Sequence, residues 1–234
     1  MLRFLGRGSA FHTNNNCAFF VSQGTLVLLD CPSSALNRIR HIGIDELAGT
    51  KAQGVTVFVT HTHADHIGGI GSLIHYCYYI IHIPVEIVVP SVELAKDISY
   101  LTERLDGCCK KGYTIITADK LNADFTAKAI PTSHTPELEG RCFGWCLEIG
   151  GRRVVYTGDT NTLGPYMEYL EKDTLFYSEI ALHDAGVHIS FEEFEKRSDE
   201  IKGRGTKVFL MHLDDEQAAG EEAEKLGVQL APLY

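Results

Sequence analysis

Short apolar runs recur along most of the chain, separated by turn-forming residues. Segments 2–5, 18–21, 25–30, 85–89, 113–117, 125–131, 143–149, 153–157, 175–178 and 208–211 each read as a strand. Val55-Thr56-Val57-Phe58-Val59-Thr60 is continuously β-branched and aromatic, the mark of a buried strand. Gly150-Gly151, between two of these runs, is a hairpin signal. Four stretches read as helices. Segment 68–83 is rich in Tyr and Ile and stops at Pro84. A second helix runs from an N-cap at Ser91 to about 106, with Glu93 in its first turn. Segment 190–202 opens on Glu192 and Glu193, and a final helix covers about 215–226. The order is strands and helices, then a second similar series. That order predicts two β-sheets packed face to face with helices outside. No repeat or linker interrupts it, so residues 1–234 are expected to form one domain.

Composition narrows the function classes. Hydrophobic residues make up 44% of 234 positions, enough to fill a core. A net charge of −10 argues against a general nucleic-acid coat protein, and leaves room for a small anionic substrate held by metal ions. The seven cysteines are odd in number and contain no CxxC spacing, which fits packing roles in a reducing cytoplasm. Segment 73–89 is interrupted by His75, His82, Pro84 and Glu86 and is not expected to span a membrane.

The chemistry concentrates after the strand at 55–60. Zn²⁺ takes imidazole nitrogen and carboxylate oxygen, with four ligands usual. His61, His63, Asp65 and His66 put four such groups into six residues. On an extended strand His61, His63 and Asp65 share one face, so His66 needs a turn, to which Gly68-Gly69 contributes. His134, Asp159 and His212 each follow a strand, where a loop can aim a side chain. Together they supply two metal sets.

Thr60-His61-Thr62-His63-Ala64-Asp65-His66-Ile67-Gly68-Gly69 resembles the signature of the metallo-β-lactamase superfamily, and the order His134, Asp159, His212 matches its remaining metal motifs. The resemblance implies a four-layer αββα sandwich with two zinc ions, Mn²⁺ being compatible with the same donors. It implies that His61, His63 and His134 hold one ion, that Asp65, His66 and His212 hold the other, and that Asp159 bridges them. Tyr156-Thr157-Gly158-Asp159-Thr160 resembles the fourth motif of the RNase Z group. Ser178-Glu179, followed by His188-Ile189-Ser190, resembles the Glu and His pair of that group. The opening Phe4-Leu5-Gly6-Arg7-Gly8-Ser9-Ala10 with Asn14-Asn15-Asn16 is similar as well. One departure matters. His134 and Asp159 lie only 25 positions apart, with no tRNA-gripping arm between them. tRNA is therefore not the expected partner.

Within this branch the short chain and glycine-rich N-terminal loop most resemble the anti-Pycsar enzymes of phages and bacteria. That resemblance implies a zinc-dependent phosphodiesterase of the bacterial or phage-infected cytoplasm. Its substrates are expected to be cyclic mononucleotides such as cyclic CMP and UMP, whose hydrolysis cuts off an antiviral signal. The alternatives are an RNase Z-like tRNA 3′ endonuclease and a non-catalytic nucleotide-binding member of the fold. In the enzyme reading Asp65 orients the nucleophile, and His188 protonates the leaving oxygen with Glu179 behind it. Asp30, at a strand end, is read either as a hydrogen-bond partner of a ligand histidine or as a plain turn residue. Ser9 and the Gly6–Gly8 amides either meet phosphate or form a tight turn. His12, His41, His75, His82 and His183 read as ordinary histidines. The apolar segment 73–83 serves either the core or a homodimer surface.

Overall fold

The computed structural model describes residues 1–183 and 185–234. It contains two six-stranded sheets, each antiparallel at one edge and parallel at the other. In the first sheet β1 (Arg3–Gly6), β2 (Cys17–Ser22), β3 (Thr25–Leu29), β4 (Gly54–Phe58), β5 (Val85–Val89) and β6 (Tyr113–Thr117) lie in chain order. β1 to β3 pair antiparallel, and β3 to β6 pair parallel. The second sheet runs β7 (Thr126–Thr132), β8 (Cys142–Ile149), β9 (Arg152–Tyr156), β10 (Leu175–Glu179), β11 (Lys207–Met211) and β12 (Gln229–Leu230). Here β7 to β9 are antiparallel and β9 to β12 parallel. Gly150 and Gly151, both at positive φ, make the expected two-residue turn between β8 and β9.

The strands' period of two sorts the core into three layers. Val55, Val57 and Val59 face helices, whereas Phe58 faces the other sheet. The same alternation sends Val208 and Leu210 to helices and Phe209 and Met211 between the sheets. Phe58 and Trp145 meet edge to face, 5.0 Å apart, and Trp145 Nε1 donates to Val59 O at 3.2 Å. With helices on both outer faces, this is the expected αββα sandwich.

The helices depart from expectation in three places. α1 (Ser33–Ile42) and α2 (Ile44–Ala48) fill a stretch to which the sequence pattern assigns no element. α1 buries Ala35, Leu36 and Ile39 on one face, yet Pro32 at its N-cap makes no side-chain capping bond, so the usual start signal is missing. A short α3 (Ala64–Ile67), to which the pattern assigns no helix, precedes the helix expected over 68–83, which is present as α4 (Ile70–Tyr76) running into a π-helical turn, Cys77–Ile81, stopped by His82 at a φ of 62°. Leu73, Ile74 and Cys77 enter the core while Tyr79 and Ile80 stay exposed. α5 (Val92–Tyr100) starts at Ser91, whose hydroxyl accepts from Leu94 N, and continues into a second π-helical turn at Leu101–Leu105. α6 (Phe191–Gly203) and α7 (Glu216–Leu226) begin at the caps Ser190 and Asp215. All seven cysteines are free, and six are buried, in keeping with packing roles. Among the described residues no helix is long and apolar enough to cross a membrane.

The carboxyl ends of the parallel strands gather at one edge of the sandwich. β3 delivers Asp30 there, β4 His61, β9 Asp159 and β11 His212, while β10 ends on Glu179 itself. Open α/β sheets place their ligands at such an edge. The two halves are stitched beside it by Phe143 N donating to Thr60 O at 3.1 Å.

Candidate metal centre

Three backbone kinks aim the side chains. Asp30 and His212 turn off their strands at φ of 61° and 56°, conformations that cost an ordinary residue energy. Gly158 does the same at 59° before Asp159. A Cβ on it would sit 2.7 Å from Phe143 O and 2.9 Å from Thr60 Cβ, so only glycine lets these backbones close up. His66 reaches the site through α3 itself: its amide, like that of Ile67, donates to His63 O at 3.0 Å. The turn of α3 supplies the change of direction, and Gly68 closes it, its amide donating to Ala64 O at 2.8 Å.

All seven expected ligands come together in two donor sets. His61, His63, His134 and Asp159 form one, and Asp65, His66, Asp159 and His212 the other, each with donor atoms within 4.8 Å of one another. Asp159 belongs to both. In the first set His63 Nδ1 lies 3.1 Å from His61 Nε2 and 3.4 Å from His134 Nε2. Asp159 Oδ2 lies 3.9 and 3.7 Å from the same two Nε2 atoms. In the second, His66 Nε2 is 3.2 Å from Asp159 Oδ1 and 3.3 Å from Asp65 Oδ2, and His212 Nε2 is 3.4 Å from Asp65 Oδ2 and from Asp159 Oδ2. Zinc bonds of this kind give a tetrahedron edge of roughly 3.3–3.6 Å. The donor spacings, 3.1–3.9 Å in the first set and 3.2–3.4 Å in the second, bracket that edge, so each set could hold a divalent ion. Two buried atoms reinforce the fit: His66 Nε2 and Asp159 Oδ1 approach each other, yet neither has a hydrogen-bond partner. Unpaired polar atoms at such depth are expensive unless both point at a third centre.

The remaining ring nitrogens explain why those atoms are free. Asp30 accepts from Thr60 N at 2.9 Å, from the Thr60 hydroxyl at 2.8 Å and from His66 Nδ1 at 2.8 Å. Of the two readings of Asp30, the histidine partner is the one observed. Thr60 Oγ1 in turn lies 3.1 Å from His61 Nδ1. His134 Nδ1 donates to Val187 O at 2.6 Å. Each bond fixes a proton on Nδ1 and leaves the Nε2 lone pair for an ion. Burial pushes His61 well below the ordinary imidazole range, which keeps it neutral. Burial alone would raise Asp65, but hydrogen bonds from His212 and His66 hold it far below the usual carboxylate range. Burial opposes the charge on His212 too, yet Asp159, Asp65 and Glu179 carry it up to about 10. Thr60 and the Val187 carbonyl escaped the sequence reading. A hydroxyl adjoining the first motif histidine was a usable signal for Thr60, whereas a backbone carbonyl 53 positions from its partner leaves none.

Glu179 and His188 do meet. His188 Nδ1 donates to Glu179 Oε2 at 2.6 Å, and Thr160 N donates to the other carboxylate oxygen. Glu179 Oε2 also lies 3.5 Å from His212 Nδ1. Glu179 is buried, while the His188 side chain keeps 22% of its surface exposed. Burial lowers the His188 pKa, but the Glu179 bond and charge outweigh it, so the ring sits above the ordinary imidazole value. Ser9 lies at the same edge: its amide donates to Leu213 O, next to His212, and its carbonyl accepts from Asn15 Nδ2. His12 packs its ring against Gly8 in the turn of this loop.

A fold with paired histidine and aspartate donor sets at its edge supports a metal-dependent hydrolase. The metallo-β-lactamase fold protein YhfI of Bacillus subtilis superposes with a TM-score of 0.75 at 21% identity, covering 98% of this chain and 94% of that one. A diphosphatase from the PhnP family gives 0.71 at 15% identity, over 99% and 94%. Human tRNase Z, short form, gives 0.67 at 19% identity, over 92% and 93%. These likenesses establish the fold. In sequence, the anti-Pycsar protein Apyc1 of Bacillus phage 010DV004 is 28% identical over 244 residues, spanning 92% of this chain and 89% of the relative. That of Paenibacillus xerothermodurans is 29% identical over 238 residues, with 92% and 88% covered. Residues 1–229 match the family model described as anti-Pycsar protein Apyc1, and the chain belongs to that family.

Proposed function

We propose that the chain is a two-metal phosphodiesterase that opens cyclic mononucleotides. The observation that carries this reading is the pair of donor sets sharing Asp159, with the bonded His188 and Glu179 against them. Family membership and the resemblance to enzymes that degrade cyclic messengers support the substrate class. Zinc is the preferred ion, because imidazole with carboxylate is its usual donor set, and Mn²⁺ suits the same atoms less well. Bound divalent ions supply a nucleophile at neutral pH and neutralise charge growing on the phosphate.

The chain's own residues do the rest. Asp65, at the mouth of the second set with 11% of its side chain exposed, accepts a hydrogen bond from the attacking water and aims it. His188 holds its Nδ1 proton on Glu179, which leaves Nε2 to protonate the leaving oxygen. The interval between His134 and Asp159 is taken up by a short turn at Pro136–Leu138 and the β8–β9 hairpin. With no arm there and a net charge of −10, the fold offers little to hold tRNA. The exposed Tyr79 and Ile80 support a homodimer as the assembly; a monomeric mass by sedimentation velocity would remove that part.

Turnover of cyclic mononucleotides, cyclic dinucleotides and precursor tRNA tests the reading. Hydrolysis of the first alone is expected. Efficient tRNA 3′ processing without cyclic-nucleotide activity would return the chain to an RNase Z-like role. Binding of cyclic nucleotides by the metal-loaded protein without turnover would make it a sequestering protein.

A further inference from the structure

We propose that the cavity beside His188 is the subsite for the nucleoside attached to the leaving oxygen, an inference that rests on the cyclic-nucleotide reading. The cavity is an open cleft of about 390 Å³ lined by Asn161, His188, Glu192, Glu193 and Lys196, among others. Its size falls within the roughly 300–1,000 Å³ usual for small-molecule sites.

Position gives the first argument. His188 Nδ1 is occupied by Glu179, so a leaving oxygen is protonated from Nε2. Whatever is bonded to that oxygen occupies the adjoining space. His188 forms part of this cavity's wall. In a cyclic mononucleotide the leaving oxygen belongs to the ribose, so sugar and base are carried there together.

Charge gives the second. Lys196 Nζ lies 3.2 Å from Glu192 Oε1 and 3.5 Å from Glu193 Oε2. Even with the His188 ring charged, one ammonium and one imidazolium against two carboxylates leave no surplus positive charge, so the cavity does not compete with the metal sets for phosphate. It offers acceptors instead, and the free ribose hydroxyl and the base N–H groups are donors.

Rigidity gives the third. Asn161, two positions after Asp159, donates from Nδ2 to Gly186 O at 3.2 Å and from its amide to Ser133 O at 2.8 Å. The wall from α6 is held by Ser190, whose hydroxyl accepts from Glu193 N at 3.2 Å. Both walls are thus pinned to segments that carry site residues, and a ligand in the cavity would be registered against the donor sets.

Photo-crosslinking tests the assignment without relying on turnover. Metal-loaded protein irradiated with 8-azido-cyclic AMP is expected to carry the adduct at Asn161 or between Glu192 and Lys196, and unmodified cyclic AMP should suppress it. Bulk at the rim gives a second readout. Lys196→Trp should raise KM for cyclic mononucleotides about tenfold or more with kcat within a few-fold, whereas Lys225→Trp, on α7, should change neither. An adduct confined to the loop between Gly8 and Asn16, or an unchanged KM in Lys196→Trp, would overturn the subsite. If the unaltered protein neither crosslinks nor hydrolyses any cyclic nucleotide, the proposed function itself falls, which is a different result.

Discussion

His134 Nδ1 donates to the carbonyl of Val187 at 2.6 Å, so a metal-set histidine and the loop bearing His188 move as one piece. Asn161 adds a second tether one residue earlier, at Gly186. His134→Ala should therefore do two things. Bound metal should fall from about two ions per chain to about one, by elemental analysis. Amide exchange across 185–189 should quicken in the same variant. Metal loss with unchanged exchange would show that the tether does not hold the loop.

Asp159 is common to both donor sets, which predicts a larger loss. Asp159→Ala should leave well under one ion per chain. Retention of a full ion would mean that the sets are independent.

His188→Ala should lower turnover of cyclic nucleotides roughly 10²–10⁴-fold, the usual scale of general acid catalysis. Metal content should be unchanged. A p-nitrophenyl phosphodiester, whose leaving phenolate needs little protonation, should be largely spared. Glu179→Gln should reproduce the pattern more weakly. Equal loss on both substrates would make His188 a positioning residue rather than the acid.

Asp30→Asn keeps the shape of the side chain but weakens the acceptor that Thr60 and His66 share. Metal affinity should fall about 10–100-fold, the usual effect of altering a partner behind a ligand. Competition with a chelator reads this directly, and an unchanged affinity would reduce Asp30 to a strand-end turn.

Chelation should also destabilise the unaltered protein. An ion at 1,000 times its Kd contributes about 4 kcal/mol, which in a chain of this size corresponds to roughly 8–16 °C in Tm. Calorimetry with and without chelator, followed by zinc addition, should show the fall and its reversal. An unchanged Tm would mean that the donor sets stand without ions.

Much of this was legible before the fold was known. Strand positions came from runs such as Val55–Phe58, because a strand buried on both faces leaves no polar alternation to confuse. The ligands were legible because each follows such a run. What escaped lacks local signals. α1 has no capping side chain, and α3 is a single turn of four residues, likewise without a side-chain cap. The π-helical turn at Cys77–Ile81 keeps apolar side chains all round, so composition alone could not separate its buried Cys77 from the exposed Ile80.

The donors are also spread in time. The ribosome finishes His61 through His66 early, the first set closes only with Asp159, and the second waits a further 146 residues beyond His66 for His212. At about 5–20 residues per second that wait lasts roughly 7–30 s. The first sheet and its helices must therefore organise around their apolar layer alone, holding four ligand side chains near one another before a complete cage exists. A divalent ion entering either set would then meet a nearly finished chain, so on the proposed reading folding comes first and loading second.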